Sequence, residues 1–559
     1  MNNFSRIFTE VCDDYLEPCK LSSVRPTYKE VADDILNLMY TRIETVNAIL
    51  SKGGKMKPPC SLPPYIVARV IKELNDAIMI SRTTTVQADR DGSEGLYLAA
   101  YEDDPASPRY GLYSEDKIDK LAREYNPSIN RSGIQEVREV LRMLCKDDIH
   151  ELTRDKNLVA VHNGIYDIAN KQLLEFSSDY IFLTKSRVDF NAAATTCPVI
   201  TNPDGSTWDV DTWIREIANN EAEIEQLLWE VIAAVLRSNH SYDKAALFYS
   251  PKGANGKGTF CEMLKAIVPY APINLSSLSN RFGLASLKSP VAMIISDENS
   301  TEFVINDATV FKCLVTHDPV NVERKYADSV EMTFEGLVVQ CINKLPKITD
   351  ISHSLIRRLM IVPFKQQYAG KENRMIKEDY VHRSDVLEYV VHKALDMDFD
   401  GFNVPVQCEL LVENFVEVNN PVYSFFSDIE SKLRWTLVPN TFIYALYVKW
   451  MAQNVPGEKP LGRNIFLDEL RNILDKFDNW ETVSNGTPTA AYIFGYEPLI
   501  GEYGLYDKWG DPRFASYEGM FSVNACTPHK RAIPTSTGGI RRKMVGSPVS
   551  VNSYSDDET

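Results

Sequence analysis

The segment LFYSPKGANGKGTFCEML is the part of the sequence best suited to carry chemistry. An apolar, β-prone run leads into a glycine-rich loop that contains a lysine, and a helical pattern follows the loop. Glycines let successive backbone N–H groups turn towards a polyphosphate, the lysine ammonium reaches its β and γ oxygens, and the helix N-terminus adds its positive end. The pattern predicts a nucleotide-binding loop made of Gly253, Ala254, Asn255, Gly256, Lys257, Gly258 and Thr259.

Two positions depart from the usual phosphate-loop pattern. Pro251 stands where the first glycine is expected, and Gly258 replaces the hydroxyl residue that binds magnesium. We therefore expect Thr259 to supply the hydroxyl, directly or through water. For the loop alone, a glycine-rich turn in an unrelated α/β domain is the alternative interpretation.

A pair of carboxylates follows the next apolar run, in SPVAMIISDENS. A carboxylate at the end of a strand beside the loop can hold Mg²⁺, and its neighbour can polarise the attacking water. We assign Asp297 to the metal and Glu298 to the role of base. A strand that ends in these two residues is common by chance, and its spacing after the loop is what favours the functional interpretation.

Three further polar residues stand at the ends of later β-prone runs. Asn343 ends the run LVVQCIN, where its amide can hydrogen-bond the γ-phosphate or the lytic water. Arg357 and Arg358 precede the run LMIVPF, where an arginine can stabilise transition-state charge in a neighbouring subunit. The alternatives are a capped strand-end turn for the asparagine and a solvated surface for the arginines.

These residues require an α/β domain to bring them together. Its predicted strands are 245–249, 291–295, 337–342 and 359–364, and one long amphipathic helix from 213 to 238 precedes them.

The flanking regions carry less chemistry. We predict helices at 117–125 and 133–145, a small β-hairpin unit at 157–176, and a helical, aromatic-rich block at 420–480. The tail from about residue 527 is rich in Ser, Thr, Gly and Pro and is predicted to be disordered. Aromatic side chains in the helical block recur at core-like spacing, so we expect them to pack rather than to stack on bases: Tyr444, Tyr447, Trp450 and Phe466.

Composition excludes several classes of protein. The 559 residues are 44% hydrophobic and 25% charged, which excludes wholesale disorder, and the length predicts three or four modules. The formal net charge of −17 excludes a protein that coats nucleic acid with a basic surface. No apolar stretch reaches the roughly 20 residues that span a bilayer, and the ten cysteines include no CxxC pair, so we expect reduced thiols in a cytoplasm.

In its order of motifs the chain resembles the superfamily 3 helicases, which are AAA+-related hexameric motors. The shared order is strand–NGKGT–helix, strand–DE, strand–NKLP and RR followed by PF. The segments NLVAVHNGIYDIANKQLLEF and VPNTFIYALYVKWMAQNVPGEKPLGRNIFLDEL are similar to the hairpin unit and the winged-helix module of the poxvirus-type and phage primase-helicase branch. The resemblance covers residues 110–480.

The resemblance implies an ATPase site between subunits of a ring. Lys257, Thr259 and Asp297 would bind ATP and Mg²⁺, Glu298 and Asn343 would act at the water, and Arg357 or Arg358 would come from the next subunit. The segment THDPVNVERKYADSVEMTFEG is similar to the family's DNA-reading hairpin, with Arg324, Lys325 and Tyr326 at its tip. The alternative for this segment is a surface β-turn.

The expected architecture is an AAA+-like, phosphate-loop ATPase core of the α/β class, with an N-terminal accessory α+β region and a C-terminal winged-helix module. The expected domains are an accessory region (1–100), an α+β hairpin domain (101–204), the ATPase core (205–375), a helical and winged-helix domain (376–495) and a C-terminal extension with a disordered tail (496–559). Since the accessory region is too short for a primase, we expect no primer synthesis.

The expected function is an ATP-dependent DNA helicase of phage, viral or mobile-element replication that translocates on single-stranded DNA. The expected partners are single-stranded or forked DNA, further copies of the chain in a hexamer, and a separate primase or polymerase, without a membrane. The alternatives are a replication initiator or loader and a packaging-type DNA translocase. Strand displacement on a fork separates the helicase from both.

Overall fold

The computed structural model divides the chain into two compact units, 1–412 and 413–559. The residues that it describes are 3–21, 25–50, 55–81, 96–278, 280–296, 304–305, 308–324, 327–345, 347–348, 353–370, 373–457, 459–475, 477, 479–486, 496–510, 526 and 536–543.

The first unit begins with helices around a small mixed sheet. Its elements, in chain order, are α1 (Asn3–Leu21), α2 (Tyr28–Ile49), α3 (Pro64–Leu74), β1 (Ala77–Ser81), β2 (Leu96–Tyr101), β3 (Tyr113–Ser114), α4 (Glu115–Tyr125), α5 (Arg131–Leu144) and β4 (Ile149–Glu151). The sheet order is β3-β2-β1-β4, and β4 runs parallel to β1. The predicted helices at 117–125 and 133–145 correspond to α4 and α5.

An apolar core joins the helices to one face of β1 and β2. It extends from Phe8 on α1 to Cys145 after α5, and it includes Leu98 and Ala100 on β2. The predicted domain boundary between residues 100 and 101 therefore falls at the end of a strand whose side chains pack with both flanking regions.

The predicted hairpin unit is confirmed as a three-stranded antiparallel sheet. Its strands are β5 (Leu158–Val161), β6 (Gly164–Asp167) and β7 (Gln172–Leu174), and a two-stranded ladder of β8 (Ile200–Thr201) and β9 (Thr207–Trp208) follows.

The single long helix predicted from 213 to 238 is wrong, because the structure has two helices there. These are α6 (Val210–Ile217) and α7 (Ala222–Leu236). Asn219 and Asn220 lie between them with φ of +57° and +59°. A left-handed conformation cannot continue a right-handed helix, and asparagine tolerates that conformation better than most residues do.

The remainder of the first unit surrounds a parallel sheet. Its elements, in chain order, are β10 (Ala245–Tyr249), α8 (Lys257–Ile267), β11 (Tyr270–Pro272), β12 (Met293–Ser296), β13 (Val304–Ile305), α9 (Thr309–Thr316), β14 (Pro319–Arg324), β15 (Ala327–Thr333), β16 (Leu337–Ile342), β17 (Lys347–Ile348), α10 (His353–Ile356), β18 (Leu359–Pro363), α11 (Arg374–Glu378), α12 (Ser384–Asp396) and the first half of α13 (Val406–Asn419), a helix in which the first unit ends and the second begins. The four predicted strands are confirmed as β10, β12, β16 and β18.

The five-stranded sheet has the order β11-β12-β16-β10-β18, with all neighbours parallel. The chain runs from β10 to the edge strand β11, returns through β12 and β16, and crosses to β18 on the other side of β10. In open parallel sheets, ligands bind outside the carboxyl ends of the strands at such a reversal of strand order. The fold therefore points to the carboxyl end of β10.

The core of this part lies between the sheet and α7, α8 and α12. All residues of α7 from Leu227 to Leu236 are buried. Val386 and Val390 on α12, together with Cys408, belong to the same core. Residues 376–412 therefore belong to the first unit, and those up to Cys408 contribute to the core of the central sheet, in contrast to the predicted domain that begins at residue 376.

The predicted strand–turn–strand segment is confirmed as the antiparallel pair β14 and β15. The root of this hairpin is closed by His317, whose Nε2 accepts the backbone N–H of Gly336 at 3.2 Å.

The second unit combines helices with a three-stranded sheet. Its further elements are α14 (Pro421–Ile429), β19 (Leu437–Pro439), α15 (Asn440–Asn454), α16 (Arg463–Leu474), β20 (Trp480–Gly486), α17 (Pro498–Glu502), α18 (Tyr506–Trp509) and β21 (Thr537–Arg542). The sheet order is β19-β21-β20, with antiparallel neighbours. The four aromatic residues predicted to pack lie in or against its core, and this prediction is confirmed.

The prediction of a disordered tail is wrong for residues 537–542. They form β21, the middle strand of the sheet. Arg541 pairs with Glu481, and Arg542 donates to the carbonyl oxygens of Glu430 and Leu433 while lying 4.7 Å from the centre of the Trp480 ring. The composition of the segment does not indicate a strand. The strand forms because it pairs with β19 and β20, which lie far earlier in the chain.

None of the helices in the described part of the chain is both long enough and apolar enough to cross a membrane.

Candidate nucleotide-binding site

The predicted nucleotide loop connects the carboxyl end of β10 to the first turn of α8. Ala254 and Gly256 have φ of +53° and +89°. A Cβ atom added to Gly256 would lie 2.7 Å from Cγ2 of Ile217, closer than ordinary contact allows. Both the backbone conformation and the approach of α6 therefore require glycine at 256.

Asn255 stabilises the loop from within. Its side chain is 4% exposed. Its Nδ2 donates to the carbonyl oxygen of Lys252 at 2.5 Å, and its Oδ1 accepts the backbone N–H of Lys257 at 3.3 Å. The amide thus closes the turn that leads into α8.

Lys257 lies buried beneath the loop, with 6% of its surface exposed. Its Nζ donates to the carbonyl oxygens of Ser250 at 3.3 Å and Ile342 at 3.1 Å, and to Oδ1 of Asn343 at 2.7 Å. An ammonium group has three donors, and these three acceptors use them all. Burial lowers the pKa of Lys257 because the charged form is desolvated.

The pairing of β10 with β16 in the sheet brings Asn343 next to Lys257. β10 and β16 are parallel neighbours, with Tyr249 opposite Ile342, so both chains leave the sheet at the same edge. The structure brings together two of the predicted site residues, which lie far apart in sequence.

The other loop residues leave space at the mouth of the site. Nothing lies within 4 Å of a Cβ atom added to Gly253. Thr259 is half-buried in the first turn of α8, the turn that begins with Lys257. The predicted carboxylates Asp297 and Glu298 lie outside the described residues, directly after β12.

The two predicted arginines have different environments. Arg357 is exposed. Arg358 is 9% exposed, and its Nη1 donates to the carbonyl oxygen of Ser354 at 2.5 Å. Its backbone oxygen also accepts the N–H of Ala245 at the start of β10. Arg358 is therefore part of the packing around β10, and of the two arginines Arg357 alone has an exposed side chain.

Of the predicted DNA-binding residues, the structure describes the backbone of Arg324 alone. Arg324 is the last residue of β14, and the backbone there pairs with Ala327. Lys325 and Tyr326 lie outside the described residues.

Two residues beside the loop were missed by the sequence analysis. The N–H of Tyr368 donates to the carbonyl oxygen of Ala254 at 2.7 Å, and the Nζ of Lys377 lies 3.6 Å from the position of a Cβ atom added to Gly258. Burial raises the pKa of Tyr368 to about 12, and no described residue offers its buried hydroxyl a hydrogen-bond partner. No motif marks either residue, because both come from the segment after β18.

Three family models match parts of the chain. The D5 N terminal like model matches residues 67–219, the family of unknown function DUF5906 matches residues 248–358, and the Poxvirus D5 protein-like model matches residues 417–494. Two segments of the chain are therefore D5-like, and the segment between them contains Lys257 and Asn343.

Two solved structures give weak overall similarity. The A form apo structure of the NrS-1 C terminal region is 13% identical, covers 54% of this chain and 77% of its own, and has a TM-score of 0.31. The apo structure of residues 305–718 of that region is 10% identical, with coverages of 76% and 96% and a TM-score of 0.34. These TM-scores are too low to establish a shared fold.

Proposed function

We propose that the chain is an ATP-driven DNA helicase of the D5-like type, which works as a ring in the replication of phage, viral or mobile-element DNA. The observation that carries the proposal is the buried Lys257 beneath a glycine loop at the switch point of a parallel sheet. The D5-like matches on both sides of the loop support the class of protein.

Lys257 is suited to bind a phosphate because its present partners are uncharged. Among the described residues, no carboxylate lies within ion-pair distance of its Nζ, and burial disfavours its unpaired charge. A phosphate oxygen that replaced one carbonyl partner would form a stronger, charge-assisted hydrogen bond. Asn343 would then hold the lysine from the side of β16, close to the terminal phosphate.

The remaining roles follow the family resemblance. Thr259 and Asp297 would hold Mg²⁺, which would neutralise phosphate charge when bound. Glu298 would polarise the attacking water, and Asn343 would orient it. Arg357 fits the role of the residue that reaches the neighbouring subunit, since its side chain is exposed and that of Arg358 is buried.

DNA contact is proposed for the hairpin tip at Arg324, Lys325 and Tyr326, in the channel of a homo-hexamer. In the second unit, the order helix, strand, two helices and strand is followed, after α17 and α18, by β21, which lies between β19 and β20; this arrangement supports a winged-helix module. A separate primase or polymerase would complete the replication machinery.

The proposal is tested by Lys257→Ala, with Lys265→Ala at the other end of α8 as the control. We expect the first variant to lose ATP hydrolysis and the second to keep it, while both retain the circular dichroism of the wild type. Normal ATP turnover by Lys257→Ala would refute the assignment of the site.

The helicase and its alternatives differ on a forked DNA substrate. We expect ATP-dependent strand displacement by the wild type. ATP hydrolysis with a sequence-specific footprint and no displacement would favour an initiator or loader. Movement along duplex DNA without separation of the strands would favour a packaging-type translocase.

A further inference from the structure

The segment after β18 returns across the nucleotide loop. Its start is tied to β10 by the N–H of Phe364, which donates to Tyr249, and then to the loop by the N–H of Tyr368, which donates to Ala254. After α11, Tyr380 and Val381 are buried in the core of the sheet and its helices. The short helix α11 is thus held at both ends beside the loop.

Lys377 on α11 faces the position that departs from the phosphate-loop pattern. Its Nζ lies 3.6 Å from a Cβ atom placed on Gly258. In loops of this type, position 258 carries a Ser or Thr whose hydroxyl, one bond beyond Cβ, binds the magnesium of the nucleotide. The ammonium of Lys377 therefore lies next to the place of that missing hydroxyl.

The side chain of Lys377 is exposed, so packing in the core does not explain why it lies beside the loop. In contrast, Lys257 is buried and has all three donors satisfied. A nucleoside triphosphate brings several negative charges to the end of α8, and a second cation there would offset charge that one buried lysine does not neutralise.

We propose that Lys377 is a second phosphate-binding lysine, which acts from the same subunit as the loop and contacts the β- or γ-phosphate at the place left open by Gly258. The inference rests on the proposed nucleotide site. It predicts that part of the charge neutralisation that other loops obtain through a metal-binding hydroxyl comes here from a side chain of α11.

The first test compares Lys377→Gln and Lys377→Arg with Lys29→Gln, which removes an exposed lysine of α2. Binding of fluorescent ATP and AMP analogues is titrated with each full-length chain, in Mg²⁺ and in EDTA. We expect Lys377→Gln to weaken ATP binding about tenfold, the size of one hydrogen bond to a charged group, and to leave AMP binding unchanged. Lys377→Arg should keep most of the affinity, and Lys29→Gln all of it.

The second test restores the missing hydroxyl. The space at Gly258 accommodates a serine, since the nearest atom of the described residues around it, Nζ of Lys377, is 3.6 Å from its Cβ position. In the Lys377→Gln background, Gly258→Ser should recover more ATP binding in Mg²⁺ than in EDTA, because the hydroxyl at this position acts chiefly as a ligand of the metal.

The outcomes separate the two proposals. If the wild type binds no ATP, the proposed nucleotide site is wrong. If the wild type binds ATP and Lys377→Gln binds it equally well, or loses AMP binding to the same extent, the role of Lys377 is wrong and the nucleotide site stands.

Discussion

The glycines of the nucleotide loop differ in what the structure demands of them. Gly256 has φ of +89° and lies against Ile217, whereas a side chain on Gly253 would meet nothing within 4 Å. Strain at a left-handed position costs roughly 1–2 kcal/mol, before any collision is counted. The conformation of Gly256 therefore fixes the direction in which the loop enters α8.

We predict that Gly256→Ala abolishes nucleotide binding and lowers the free energy of unfolding by about 2 kcal/mol or more, through backbone strain and the contact with Ile217. Gly253→Ala should change the free energy of unfolding by less than about 1 kcal/mol. Both are measured by chemical denaturation and ATP titration. Equal loss in the two variants would show that the loop is not held as described.

Among the elements, the β14–β15 hairpin depends on a histidine at its root. His317 has φ of +57° and ends α9, and its Nε2 lies 3.2 Å from both the backbone nitrogen and the carbonyl oxygen of Gly336. Burial lowers the pKa of His317 to about 4. The unfolded chain binds a proton near pH 6.5, so the stabilisation is present above that pH and is lost as the pH falls towards 4.

We predict that the wild type loses about 2 kcal/mol more of its free energy of unfolding between pH 7 and pH 5 than His317→Asn does. Asparagine tolerates the left-handed backbone but does not titrate. Chemical denaturation of both proteins at the two pH values measures the difference. An identical pH dependence would mean that folding does not lower the pKa of His317.

The second unit depends on a strand that follows a long connection. β21 lies between β19 and β20, and Ile540 on it is 1% exposed in the core. Removal of the middle strand leaves two strands without backbone partners and opens the core.

We predict that a chain ending at Ser536 loses the folded C-terminal unit, while a chain ending at Lys543 keeps it. Limited proteolysis with mass spectrometry measures how well residues 413–486 are protected from cleavage in each of the two truncated chains. If the two truncated chains are equally protected, β21 does not hold the sheet together.

At the scale of the whole molecule, the exposed Arg357 suits a site completed by a neighbouring copy. Arg358 cannot serve in this way without leaving its contact with Ser354 and the packing around β10. The substitution Arg358→Ala is therefore expected to lower stability, whereas Arg357→Ala is expected to lower ATP hydrolysis alone.

We predict that a mixture of Lys257→Ala and Arg357→Ala chains regains part of the ATP hydrolysis that each lacks. An interface between an intact Lys257 on one copy and an intact Arg357 on the next would restore complete sites. The ATPase rate of the mixture, compared with the sum of the separate rates, measures this. A mixture no more active than that sum would argue against a site shared between subunits.

The sequence by itself determined the local elements and the position of the glycine-rich loop. The strands β10, β12, β16 and β18 are apolar runs with turn residues at their ends, and the glycine–lysine pattern of the loop is local in the chain. Such signals depend on neighbouring residues, so they can be read without knowing the fold. The ends of helices are predicted less accurately from such local signals, as the two asparagines between α6 and α7 show.

Only the tertiary structure decided which distant residues meet. It placed Asn343 on Lys257, distinguished exposed Arg357 from buried Arg358, and brought Lys377 to Gly258. It also made residues 537–542 a central strand, although their composition indicates disorder. The physical reason is that strand order, burial and backbone pairing arise from contacts between segments far apart in the chain, which no local pattern records.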